Sequence, residues 1–246
     1  VAFAAAFAAG AMNSVAGGGT LVSFPTLMWL GLPAVTANAT NTVAIWPGSF
    51  AGFVGFRREL RGVGRRILVL TVPSLVGGLG GALLLARTPP GLFERVVPFL
   101  ILFATLLFML QETVQRWVFA DRPAHDSVRW LAGASLFQLG VALYGGYFGA
   151  GIGILMLAAL GILGHTDLHQ MNGLKNFFVA CINGVASLYF LWAGMVDWPF
   201  VLVMAAGAMA GGYLGAGLAR RLGRPAVRRI VIGIGFVMAL SLFLRG

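Results

Sequence analysis

Acidic residues are scarce in this chain. Seven carboxylates, Glu59, Glu94, Glu112, Asp121, Asp126, Asp167 and Asp197, serve 246 residues, and all fall in or beside the turns between apolar segments. A carrier that relays protons through a buried carboxylate is therefore not expected, nor is a paired-carboxylate hydrolase. There is a single cysteine, Cys181, set in an apolar stretch. It excludes an intrachain disulfide and a multi-cysteine metal site, and reads as a small packing residue. No Ser/His/Asp set lies within the apolar segments, and no His-rich metal motif is present. An enzyme is not expected, and the sequence calls for no cofactor and no metal. Charged residues make up only 10% of the chain, where a soluble domain carries about 25%. The apolar start also lacks the charged stretch that opens a cleavable signal peptide.

What fills the chain instead is hydrocarbon and glycine. It is 59% hydrophobic, with a mean hydropathy of +0.91. Several apolar stretches approach the ~20 residues that cross a bilayer as a helix. Continuous runs such as Leu100 to Met109 lack the alternation of a membrane β-barrel. The 36 glycines suit close helix–helix contact in lipid. These features predict an all-α polytopic membrane protein whose first partner is the lipid bilayer. The net charge of +10 comes from arginines clustered at the ends of apolar segments. The positive-inside bias accounts for them, so a nucleic-acid partner is not expected.

Two polar, glycine-rich breaks interrupt the apolar pattern, Asn13 to Thr20 and Tyr144 to Gly151. Each separates two apolar pieces too short to span alone: residues 1–14 and about 20–30, then about 130–143 and 152–163. A full-length segment with a polar start follows each pair, at about 35–56 and 168–192. Two more segments complete each half, at about 67–86 and 92–110, then at about 198–219 and 225–244. The polar stretch containing Asp121-Arg122-Pro123 separates the halves. The expected organisation is a first repeat over 1–112, a cytoplasmic linker over 113–129, and a second repeat over 130–246. One constant offset aligns Asn38 with Asn172, Asn41 with Lys175, Gly77-Gly78 with Gly211-Gly212, and Gly81-Ala82 with Gly215-Ala216.

Arginine distribution differs between the halves. Arg57, Arg58, Arg61, Arg65 and Arg66 load the turn after the first long segment, while the equivalent turn of the second half, Ala193 to Trp198, carries only Asp197. One turn later the bias reverses, with Arg220, Arg221, Arg224, Arg228 and Arg229 in the second half. Positive turns face the cytoplasm, so the two repeats should be inverted relative to each other. Each repeat then holds three transmembrane helices and one re-entrant broken-helix hairpin. Inverted repeats with broken helices at the midplane are a transporter architecture.

The run Gly17-Gly18-Gly19-Thr20-Leu21-Val22-Ser23-Phe24-Pro25, followed by Leu32-Pro33-Ala34-Val35-Thr36-Ala37-Asn38-Ala39-Thr40-Asn41, resembles the TauE/SafE sulfite exporter family, also called the toluene-sulfonate uptake permease family. The second half echoes it with Phe148-Gly149-Ala150-Gly151 and the helix bearing Asn172 and Lys175. The resemblance implies two inverted repeats with re-entrant helices. It also implies a bacterial inner-membrane location and transport of sulfite, sulfonates and related sulfur-containing anions.

A compact oxyanion needs donors rather than many charges. Free N–H groups at a helix N-terminus provide them, aided by the helix dipole. Thr20 and Ile152 begin short helices just after the two breaks, and glycines let an anion reach the backbone. The candidate substrate site therefore comprises Asn13, Ser14, Gly17, Gly18, Gly19 and Thr20 from the first break, and Gly149 and Gly151 from the second. Asn38 and Asn41 share one helix face, as do Asn172 and Lys175, with Asn176 beside them. Lys175, the chain's only lysine, lies two turns into its segment, where it could meet substrate or snorkel to the interface. The expected function is a secondary transporter of small sulfur-containing anions (sulfite, or sulfonates such as sulfoacetate) that works by alternating access. A passive small-anion channel through the same pocket is the alternative.

Overall fold

A computed structural model describes residues 1–15, 18–55, 69–118, 128–162, 168–222 and 224–243. All regular structure among the described residues is helical. The elements are α1 (Ala2–Val15), α2 (Thr20–Trp29), α3 (Ala34–Gly55), α4 (Thr71–Arg87), α5 (Pro90–Val118), α6 (Val128–Tyr147), α7 (Ile152–Ile162), α8 (Leu168–Trp192), α9 (Trp198–Leu222) and α10 (Arg224–Phe243).

Local chemistry sets the ends that matter for the site. Gly31, at φ 93°, closes α2: its N–H donates to the Met28 carbonyl (3.0 Å) and that of Leu32 to the Leu27 carbonyl (3.1 Å). Gly194, at φ 65°, closes α8 in the same way through Leu191 and Phe190. Both are Schellman ends, in which a left-handed glycine satisfies the last carbonyls. Asp197 then starts α9 as an N-cap, its Oδ1 accepting the Phe200 N–H at 3.3 Å.

Most expected segments appear within a few residues of their expected bounds. Two differ. The segment expected to end near residue 110 continues as α5 through Val118, so the first residues assigned to the linker are helical. The segment expected to end at residue 143 continues as α6 through Tyr147. Gly145 and Gly146 thus lie inside a helix, and the second break shrinks to Phe148–Gly151. Gly146 is kept small by the backbone of Gly78 on α4, and Gly145 by the side chain of Ile152.

The two halves interlock. α1 packs along α9 and α6 along α4, while α3 crosses α8 and α5 lies on α10. Exchanging the halves reproduces the pattern, since α1 and α4 of the first half stand where α6 and α9 stand in the second. The closest approaches are backbone to backbone at glycine. Gly77 faces Leu139 and Ala142, as Gly207 faces Phe3 and Ala6. Gly81 meets the Leu143 carbonyl, as Gly211 meets that of Phe7. Gly146 meets the Gly78 carbonyl, as Gly10 meets that of Ala208.

These matched environments pair Gly77 with Gly207 and Gly81 with Gly211, one helical turn away from the sequence alignment of Gly77-Gly78 with Gly211-Gly212. A helix with small residues every four positions aligns with itself almost equally well after a one-turn slip, and packing resolves the register.

The outer surface is apolar. Val72, Leu75, Val76 and Leu79 of α4, and Phe99, Phe103, Leu106, Met109 and Leu110 of α5, are exposed. A soluble monomer does not tolerate apolar patches on this scale, whereas lipid does. Among the described residues, two segments, Pro90–Val114 and Gln170–Trp192, are long and apolar enough to cross a membrane unaided, with mean hydropathies of 2.0 and 1.4. Inside, Phe24, Phe93, Phe108, Phe148 and Phe190 are fully buried and link the halves in one core.

Candidate functional site

The first break is a tight reversal. Asn13, near the end of α1, accepts the Gly19 N–H on its Oδ1 at 2.9 Å. The chain then folds back so that Gly19 abuts the backbone of Ala9. The Ser23 hydroxyl donates to the Gly19 carbonyl at 3.1 Å, and buried Thr20 opens α2. Gly18 has φ 85°, and a Cβ there would run into the Phe108 ring of α5. Glycine is thus required at Gly18 by conformation and by packing. The expected open backbone is, on the Cβ side, covered by an aromatic ring. Gly17 lies outside the described residues, as does the side chain of Ser14.

The second break is built differently. Gly149 and Gly151 have φ 76° and 75°, conformations that L side chains rarely adopt. The N–H groups of Phe148 (2.9 Å) and Gly149 (3.1 Å) both donate to the Tyr144 carbonyl. The Tyr144 hydroxyl donates across the turn to the Ala150 carbonyl at 2.7 Å. Tyr144 therefore clamps the break from both ends of its own residue. Helix α7 then starts at Ile152, with its positive dipole end toward the break.

Two polar helix faces converge here. Asn38, in α3, donates its Nδ2–H to the Tyr147 carbonyl at 2.8 Å. Asn41 lies one turn further along α3, only 1% exposed. From α8, the Lys175 ammonium donates to Asn172 Oδ1 at 3.2 Å, and its stem lies against Gly153 in the first turn of α7. The only lysine thus stands beside the α7 N-terminus rather than reaching out along the surface. Asn183, also in α8 and buried, brings its Oδ1 beside Gly149.

Helix α5 ties the breaks together. Phe108 lies on Gly18, while Leu107 and Ala104 face Gly151. The rings of Phe24 in α2 and Phe148 in the second break meet edge to face, with centroids 5.3 Å apart.

The field at this convergence is positive: a helix N-terminus and one ammonium. Among the described carboxylates, Glu94 and Glu112 are exposed and Asp197 caps α9. Among the described residues, no three His, Cys, Asp or Glu side chains gather as a metal site would require.

The profile of the family described as sulfite exporter TauE/SafE matches residues 2–242. The chain belongs to the TauE/SafE family. That membership makes it a membrane transporter of the TauE/SafE type. This TauE/SafE chain is 27% identical over 241 residues to a probable membrane transporter protein of Haemophilus influenzae, an alignment covering 98% of the chain and 92% of that relative. It is 27% identical over 246 residues to the probable membrane transporter protein YfcA of Escherichia coli K12, covering 98% and 88%. A probable membrane transporter protein, ORF9, of a Sinorhizobium species is 26% identical over 241 residues, covering 98% and 90%. No solved structure matches significantly.

Within this TauE/SafE chain, Asn38 lies at the Tyr147 side of the second break with Gly149 and Gly151, and Asn41 is a turn along α3; Lys175, with Asn172, lies instead against the first turn of α7. Asn13, Gly18, Gly19 and Thr20 form the first break, across α5. Asn176 is half-buried in α8. Sequence reasoning missed Asn183, Tyr144 and Phe108. Asn183 carried a usable signal, since Asn172, Asn176 and Asn183 follow one another at four and seven residues and so share a helix face.

Proposed function

We propose that this chain is a secondary transporter of small sulfur-containing anions, such as sulfite or sulfonates like sulfoacetate, across a bacterial inner membrane. Substrate binds between the two breaks, against the polar faces of α3 and α8. The observation that carries the reading is a glycine turn within an apolar bundle that Asn38 holds at Tyr147 on one side, while Lys175 lies against the first turn of α7 on the other. The N–H groups of Ile152 and Ile154 are held by the Gly149 and Gly151 carbonyls, so the attraction for a compact oxyanion comes from the helix dipole and the ammonium in a water-poor setting.

The alternating-access mechanism rests on inverted repeats, over 1–112 and 130–246 about the linker at 113–129. Three observations support inversion. α5 and α10 are antiparallel, because Phe99 meets Phe243 while Thr105 meets Gly235. α1 and α9 run the same way, as do α4 and α6, through the glycine pairs above. Each break also folds its second helix back on the first, so each hairpin enters and leaves on one side. A hairpin counted as a spanning helix would instead make α5 and α10 parallel.

In proteoliposomes loaded with sulfite, the chain should show saturable, trans-stimulated uptake of labelled sulfite, and Asn41→Leu should depress it. Unsaturable ohmic current without trans-stimulation would identify a channel instead.

A further inference from the structure

The buried hydroxyls of this protein largely satisfy themselves. Ser23, Thr26, Thr42, Ser74 and Thr105 each donate to the carbonyl four residues earlier, within their own helix or at its N-cap. Against that background, unpartnered polar atoms remain on the Thr71 hydroxyl, on Gln138, whose Nε2 donates to Ser74 while its Oε1 has no partner, and on the two carboxamides of α3, where they lie on one helix face. Asn38 is fully buried, at 0% exposure. Its orientation is fixed, because a carbonyl oxygen only accepts, and flipping the amide would set Oδ1 against the Tyr147 oxygen. The other branch of the same planar amide, Oδ1, is buried and accepts nothing from the protein. One turn on, neither Oδ1 nor Nδ2 of Asn41 has a partner. The Ser187 hydroxyl of α8, the helix that α3 crosses, is also buried and unpartnered.

These groups sort by what they can offer a ligand. Asn41 Nδ2 and the Ser187 hydroxyl can donate. Asn38 Oδ1 can only accept and cannot turn away. A fully deprotonated oxyanion carries acceptors alone, so binding it would leave Asn38 Oδ1 buried beside a second set of oxygens. An unsatisfied buried polar atom is costly, and sites holding one discriminate by it.

We infer that this site selects an oxyanion that brings its own hydrogen-bond donor, received by Asn38 Oδ1. The ligand class is a monoprotonated inorganic oxyanion, or an organosulfonate with a hydroxyl or ammonium group near the sulfonate. The inference rests on the anion-transport reading above and narrows it: donors on the protein hold the oxygens of the anion, and one fixed acceptor reads its proton.

The test uses the full chain purified in detergent, with affinities taken from ligand-dependent thermal stabilisation. Two comparisons separate the sources of the donor. One sets 2-hydroxyethanesulfonate against propanesulfonate, which differ by a hydroxyl in place of a methyl. The other sets sulfite at pH 6 against pH 8, which changes the share of hydrogen sulfite, with sulfate as the control for pH itself. At least one donor-bearing ligand should bind about tenfold tighter than its donor-free counterpart. Asn38→Leu should bring the two affinities together, and if that variant does not fold, the wild-type comparison decides alone. Equal wild-type affinities in both comparisons would overturn the inference, assigning Asn38 Oδ1 to an ordered water. Equal affinities that track sodium concentration would also overturn it, assigning the oxygen to a cation. If no anion binds at all, the transport reading falls and this inference with it.

Discussion

Lys175 is a costly residue to place inside this bundle. A charged side chain at the middle of a membrane helix costs about 2.5–3.5 kcal/mol by insertion measurements, which is an upper bound for Lys175, two turns from the start of α8. Its Nζ donates to Asn172 and its stem rests on Gly153, so the protein spends a helix face on holding the charge at the second break. Methionine keeps the unbranched stem and deletes the charge. Lys175→Met should therefore lower the initial rate of sulfite uptake about tenfold or more, since charge-assisted hydrogen bonds contribute roughly 1.5–3 kcal/mol. The melting temperature should hold or rise. A fall in uptake matched by an equal loss of folded protein would make Lys175 structural. Lys175, Asn38 and Asn41 were legible in the sequence because isolated polar groups stand out in apolar segments. Tyr144 and Phe108 were not, because an aromatic among aromatics carries no mark of the turn it clamps or covers.

Glycines decide how closely elements approach, and neighbouring glycines do not do so equally. A Cβ on Gly211 would strike the backbone of Phe7 in α1, whereas one on Gly212 would meet nothing within 4 Å. Gly211→Ala should force α1 and α9 apart at a cost of about 1–3 kcal/mol. Gly212→Ala should be neutral or stabilise α9 by up to about 1 kcal/mol, the helix propensity difference. Thermal melts of the two purified variants check this, and equal shifts would remove the close-packing account. The helices themselves were readable from hydropathy and breaks, since polar or turn-forming residues punctuate every long apolar run. Their mutual register was not, because the four-residue spacing of small residues that permits close packing also makes every one-turn slip look alike. The extra turn of α6 was hidden for a related reason: Gly145 and Gly146 read as loop in sequence but serve as contact surface in a helix.

For the whole molecule, the proposed inversion has a direct geometric consequence. With the Arg57–Arg66 turn in the cytoplasm, the α4–α5 turn and the α8–α9 turn must share the opposite side. In a Cys181→Ala background, Gly91→Cys and Ala193→Cys should both react with a membrane-impermeant maleimide added to intact cells. Both positions are exposed. Labelling of only one would refute the inverted arrangement. The pairing of α1 with α9 also bears on how the chain is made. α1 leaves the ribosome well before the helix along which it packs, which begins at Trp198. At roughly 5–20 residues per second, synthesis leaves α1 without that neighbour for about ten to forty seconds. During that interval the face of α1 that meets the backbone of α9 must be covered by lipid, by its neighbours in the first half or by the insertion machinery. Assembly of this protein is therefore a wait at the membrane that ends only when the last quarter of the chain arrives.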